Sequence, residues 1–176
     1  MSEIDMGRMR QIAFVVPDLD EATVGWHRST NAGPFYIDRH VRPNITYRGT
    51  LGAPLEYSAA FAGLGDVMLE LIEQHSDEPS VYRDTFAPGT GGVHHLGYIV
   101  PTLDGAIEHF RSAGVEPAMI VHDSDPLIYF DTRSTTGGLM TELLVSGNER
   151  GDLFERVIAS GRNWNGEHPI RDAASA

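Results

Sequence analysis

"MRQIAFVVPDLDEA" (residues 9–22) and "VHHLGYIVPTLDGA" (residues 93–106) are two copies of one pattern. In register, Gln11 falls on His95, Pro17 on Pro101, Leu19 on Leu103, Asp20 on Asp104 and Ala22 on Ala106. Each copy begins with a run rich in β-branched and aromatic residues, which reads as a strand, and a proline ends it. A helix start follows. Asp18 precedes Glu21 at capping-box spacing, and Thr102 opens a run with Leu103, Ala106, Ile107 and Phe110 on one helical face that closes at Gly114.

A second pair of blocks repeats further on. "GDVMLELIEQ" (65–74) answers "GGLMTELLVS" (137–146), with Glu70 on Glu142. The first copy is longer between its blocks, and "RHVRPNITYRGTLG" (39–52), rich in Pro, Gly and Asn, reads as an inserted loop. The stretches around 55–63, 118–123 and 127–132 add short strands, so each copy reads as βαβββ. The chain is therefore expected to be one α+β domain over 1–176. Its parts are a module at 8–75, a linker at 76–91, a module at 92–146, and a C-terminal helix and tail at 147–176. In that tail "GDLFERVIAS" (151–160) has the apolar spacing of a helix docked on the sheet.

Composition excludes several chemistries. The 176 residues suffice for one buried core, and the hydrophobic (41%) and charged (22%) fractions are those of an ordinary globular chain. There is no cysteine, which removes disulfides, thiolate metal sites and cysteine nucleophiles. All 13 basic residues are Arg, so neither a Schiff-base lysine nor a phosphate-binding P-loop is available. A net charge of −12 argues against a nucleic-acid partner and against an anionic lipid surface. No segment is apolar enough to span a membrane, and "MSEIDMGRMR" has no secretion-signal core, so a cytoplasmic location is expected.

Strand phase points to the chemistry. Side chains alternate faces, so Gln11 shares one with Ala13 and Val15, and His95 shares one with Gly97 and Ile99. A polar head followed on its own face by a very small residue leaves room for something that is not protein. Glu70 and Glu142 each sit inside an apolar strand, where an unpaired carboxylate is costly. If the modules pair about a pseudo-twofold axis, Gln11, Glu70, His95 and Glu142 converge, and one nitrogen with three oxygen donors is a metal site by ligand type. His94 is expected on the opposite face as a structural or interface residue. His27, His40, His75, His109, His122 and His168 have no repeat partner and are expected at the surface or in loops. Phe35, Tyr36, Tyr129 and Trp164 are candidates to line a substrate cavity, with Arg133 or Arg48 holding a carboxylate or phosphate.

The blocks "QIAFVVPDLD", "VMLELIE", "GGVHHLGYIVPTLD" and "GGLMTELLV", over roughly residues 8–146, resemble the vicinal oxygen chelate superfamily of glyoxalases, methylmalonyl-CoA epimerases, extradiol dioxygenases and bleomycin-resistance proteins. The resemblance implies paired βαβββ modules forming a cup-shaped mixed sheet around one divalent metal. Its four ligand positions fall on Gln11, Glu70, His95 and Glu142. Zn²⁺ is the first choice, then Co²⁺, Ni²⁺, Mn²⁺ or Mg²⁺. Ring cleavage fits poorly, because the first position is Gln11 rather than His and both carboxylate positions are filled. The set is similar to that of epimerase-like and glyoxalase I-like members. It implies a metal-dependent isomerase, epimerase or lyase that moves a proton beside a carbonyl, with Glu142 and Glu70 as ligand and proton carrier. Phe35, Tyr129, Arg133 and Trp164 are the expected substrate contacts, the substrate is a small carbonyl compound, and a homodimer would cover open sheet edges. The alternative is a metal-free protein that sequesters a small molecule.

Overall fold

A computed structural model describes residues 6–162 and 164–176; residues 1–5, part of the segment read above for a leader, lie outside the described residues. The strands are β1 (Arg8–Val15), β2 (Phe35–Val41), β3 (Ile45–Tyr47), β4 (Thr50–Leu51), β5 (Tyr57–Leu64), β6 (Val67–Gln74), β7 (Gly92–Val100), β8 (Pro117–Val121), β9 (Leu127–Phe130), β10 (Met140–Val145) and β11 (Ile170–Asp172). The helices are α1 (Leu19–Thr30), α2 (Leu103–Ser112) and α3 (Glu149–Arg162). All the strands join one mixed sheet in the order β11-β2-β5-β6-β1-β7-β10-β9-β8-β3-β4. Within it, β2-β5-β6-β1 and β7-β10-β9-β8 are the two expected modules, related across the antiparallel β1–β7 pair.

Alternation in β1 sorts the core. Gln11, Ala13 and Val15 are buried on the concave face, while Ile12 and Phe14 face outward, where the Phe14 ring meets Trp26 of α1 at 5.2 Å. Three apolar clusters result: one inside the cup, one between α1 and the first module, and one between α2 and the second. The α1 start is capped as expected, with Glu21 N donating to Asp18 Oδ1 at 2.8 Å. At α2, Thr102 occupies the cap position without a side-chain bond.

Residues 39–52 are not a simple loop. They carry the end of β2 and the hairpin β3–β4, and β3 pairs antiparallel with β8 of the other module. Only residues 42–44 separate β2 from β3, and four Cα steps reach at most about 15 Å. The two far ends of the sheet are thereby drawn together, and the sheet curls into a deep cup. The tail adds β11 alongside β2. Both outer module edges, β2 and β8, are thus paired within the chain, which leaves the short strands β11 and β4 at the ends of the sheet.

The expected helix at 151–160 is present as α3. Its Phe154, Val157 and Ile158 belong to the concave cluster, so it packs inside the cup over β5, β6 and β10. Gly63 permits this approach, because a Cβ there would stand 2.9 Å from Ile158 O. No helix among the described residues is long and apolar enough to cross a membrane.

Candidate metal centre

β1, β6, β7 and β10 are the four central strands, and each sends one polar side chain into the cup. Parallel pairing sets Gln11 beside Met68 and Ala13 beside Glu70 on one side, and Met140 beside His95 and Glu142 beside Gly97 on the other. Across the central pair, Gln11 faces Gly97 and Ala13 faces His95. Small residues therefore alternate with polar ones around the pseudo-twofold. The room beside His95 that Gly97 provides is filled by protein, because the Gln11 carboxamide lies where a Gly97 Cβ would be.

The four side chains converge in a nearly fully buried site. Gln11 is 2% exposed, Glu70 7%, His95 0% and Glu142 3%. His95 Nε2 stands 3.4 Å from Glu70 Oε2 and 3.4 Å from Glu142 Oε2. Gln11 Nε2 donates to Glu70 Oε2 at 2.8 Å. Gln11 Oε1, His95 Nε2 and Glu142 Oε2 are buried without a hydrogen-bond partner. Orphaned donor atoms on three of four converging residues are costly unless something joins them. One dication joins them: bonds of about 2.0–2.1 Å at tetrahedral angles put neighbouring donor atoms about 3.4 Å apart. Among the described residues, Glu70, His95 and Glu142 form a group able to hold a metal ion.

Electrostatics describe the same need. Burial raises the Glu70 carboxyl, and the Glu142 charge adds to that, outweighing the nearby His95, which lowers it. Burial would also raise Glu142, but the nearby His95, helped by the Tyr129 phenol, holds it below the usual carboxylate range. Burial pushes His95 down, yet the two carboxylates prevail and lift it to about 9. The two glutamates thus share one partner ring between them.

The structure brings together only some of the sequence-expected residues. Gln11, Glu70, His95 and Glu142 meet. Tyr129 joins them, its ring 5.1 Å from that of His95. Tyr36 lies in the concave cluster, but Phe35 packs against α1 in the cluster outside the cup. Trp164 lies outside as well, its ring against His27 at 5.4 Å and its indole N–H donating to Glu167 O. Arg133 and Arg48 are committed to Asp131, and Arg48 also to Asp84. With Thr46, Arg111 and Ile120 they line an open cavity of about 1100 Å³ whose wall includes none of the four ligand-type residues.

Sequence reasoning also missed residues here. Tyr82, from the inter-module segment, is buried with its hydroxyl 3.4 Å from that of Tyr129. His94 does not face away from His95. The register passes from Ala13↔His95 to Phe14↔Val93, leaving His94 as the extra residue of a bulge, and its Nδ1 lies 2.9 Å from His95 Nδ1. Burial, then the neighbouring His95, lowers the His94 ring to about 3. The doubled His was the only signal available.

Paired βαβββ modules with a buried Gln/Glu/His/Glu cluster between them define a protein built around a central cup whose acidic cluster could hold a metal ion. The family model described as Glyoxalase/Bleomycin resistance protein/Dioxygenase superfamily matches residues 10–129, more than half of the sequence. The chain belongs to that superfamily. No curated protein matches it by sequence. Among solved structures, methylmalonyl-CoA epimerase from Mycobacterium tuberculosis is similar at 15% identity, with 82% of this chain and 91% of that one covered and a TM-score of 0.50. The Streptomyces coelicolor epimerase in complex with 2-nitronate-propionyl-CoA is similar at 17% identity, covering 83% and 100%, with a TM-score of 0.50. A hypothetical protein from Bacillus halodurans C-125 is similar at 15% identity, covering 81% and 96%, with a TM-score of 0.54. These likenesses establish the fold.

Proposed function

We propose that this protein is a metal-dependent isomerase, epimerase or lyase of the glyoxalase and epimerase type, moving a proton at a carbon beside a carbonyl group. The carrying observation is the convergence of Gln11, Glu70, His95 and Glu142, with His95 Nε2 3.4 Å from both carboxylates and three buried donor atoms unpartnered. These four residues would hold one divalent ion, Zn²⁺ first, which supplies positive charge to the oxygens beside the carbon that loses its proton. Gln11 and His95 are neutral ligands that leave the two glutamates to carry the charge. Glu70 and Glu142 come from opposite modules, and they flank the reacting carbon as ligand and proton carrier. One carboxylate takes the proton while the C–H pair moves into the substrate's enolate or enediolate. The proton returns to the other face of that carbon, or to its neighbour. Tyr129 lies against His95 and Glu142, where it orients both and excludes water.

Acyl-CoA thioesters, hemithioacetals and hydroxyketones are the substrate classes with such a carbon. We place the working protein in the cytoplasm as a homodimer joined through surfaces other than β2 and β8; light scattering after size exclusion tests the dimer. Elemental analysis after dialysis against Zn²⁺, Co²⁺, Ni²⁺ and Mn²⁺ tests the site, with Gln11→Ala and Glu142→Ala alongside. One equivalent of metal is expected in the native protein and a loss in each variant. Solvent deuterium appearing in one of the three substrate classes then identifies the reaction. A native protein that takes up none of the four metals overturns the reading.

A further inference from the structure

We propose that His94 is a positioning residue that fixes a proton on His95 Nδ1 and so keeps His95 Nε2 free to face the metal. The consequence rests on the metal-site reading above; the geometry does not. His94 Nε2 stands 2.9 Å from Val81 O. A carbonyl oxygen only accepts, so His94 Nε2 carries the hydrogen. A neutral imidazole has one N–H, which leaves Nδ1 of His94 as a lone pair. That lone pair lies 2.9 Å from His95 Nδ1, which must therefore be the donor. Nε2 of His95, directed at Glu70 and Glu142, is then the ring's donor atom toward a cation.

A doubly protonated His94 would break this order, and its surroundings oppose one. The ring is 0% exposed, and its hydrogen-bond partners are Val81 O and His95, with no carboxylate. Tyr82, Phe86, Tyr129 and His95 rings surround it, Tyr82 at 5.2 Å. Two local features hold the relay in place. The bulge turns His94 to the His95 side, where simple alternation would aim it out of the cup. The inter-module segment is pinned where it presents Val81: Ser80 donates to Gln74 of β6, and Tyr82 N and Arg83 N both donate to Ser80 Oγ at 3.1 Å. The link between the modules thereby sets the tautomer of a ligand inside the cup.

A merely structural His94 would affect stability alone, so the test reads protonation and affinity. Nitrogen-15 NMR of histidine-labelled protein is expected to show His94 Nδ1 unprotonated in both metal-free and Zn²⁺-loaded states, and His95 Nδ1 protonated in the loaded state. His94→Phe keeps ring volume without an acceptor, and a loss of about 10–100-fold in Zn²⁺ affinity by chelator competition is expected. His94→Asn offers an oxygen near the Nδ1 position and should stay within severalfold of the native affinity. A protonated His94 Nδ1, or a folded His94→Phe that binds Zn²⁺ as tightly as the native chain, overturns the proposal. Should native protein bind no Zn²⁺, the metal reading fails by itself, and the metal-free spectrum still decides the proton on His94. Should His94→Phe not fold, the native spectra and His94→Asn carry the decision.

Discussion

Gln11 and Gly97 face each other across the central strand pair, and a methyl group on Gly97 would collide with the Gln11 carboxamide oxygen and stand 2.9 Å from its Cβ. The absent side chain on β7 is what lets a ligand-type amide from β1 reach the site. Gly97→Ala is therefore expected to cost about 1–3 kcal/mol by overpacking and to weaken metal binding by displacing Oε1. Urea unfolding with a double-mutant cycle checks the cause: in a Gln11→Ala background the same change should cost much less. Equal costs in both backgrounds would show that the collision is not responsible.

Metal should stabilise the fold through the same four residues. An ion that binds only the folded chain at about 100 times its dissociation constant adds about 2.7 kcal/mol. In a domain of this size that raises the melting temperature by roughly 5–10 °C. Differential scanning calorimetry should show this rise on adding Zn²⁺ and its reversal by EDTA. Glu142→Gln and His95→Ala should abolish it. A shift that survives in both variants would place the ion elsewhere.

Acid should weaken the rim of the second module through Asp131. Arg133, and then Arg48, hold its carboxyl below the usual carboxylate range against the cost of burial. A group whose folded pKa is depressed contributes stability above its unfolded value of about 3.9, and that contribution is lost as pH falls through the folded value. Asp131→Asn is expected to cost about 1–2 kcal/mol at pH 7, the range for charge-assisted bonds at a partly exposed site. Its gap to the native protein should narrow between pH 4 and pH 2 in urea titrations. A gap independent of pH would mean that these ion pairs contribute nothing.

How much could be read from the chain follows from what is local. The repeat and strand alternation sufficed to choose Gln11, Glu70, His95 and Glu142, because each is paired on both sides with a neighbouring strand or sits beside one in register, and that pairing fixes its face. His94 escaped because a bulge, set by pairing with β1, breaks that alternation one residue before His95. Phe35 escaped because Phe35, Tyr36 and Ile37 are all buried, so hydrophobicity does not say which of them faces the cup. The β3–β4 hairpin escaped because its partner, β8, is far away in sequence, while Pro, Gly and Asn gave only the turn signals. Arg48 looked like a free cation, since Asp84 and Asp131 meet it only in the folded chain, whereas the partner of Arg133, Asp131, stood two residues away in the sequence.

α3 is expected to govern access to the centre. Phe154, 3% exposed, sits in the same cluster as Met68, Met140 and Tyr129, so the helix fills the cup beside the ligands. Phe154→Ala is expected to cost about 3–5 kcal/mol, the range for deleting a buried aromatic ring. The cavity it leaves also loosens the helix from β5, where Gly63 now permits backbone contact. Loss of metal to excess chelator should accordingly accelerate at least tenfold in this variant, followed by stopped-flow absorbance. Leu51→Ala, at a site 72% exposed on β4, provides the control and should change neither stability nor release. Unchanged release from a destabilised Phe154→Ala would mean that α3 supports the fold without guarding the centre, and that metal and substrate reach it by another side of the cup.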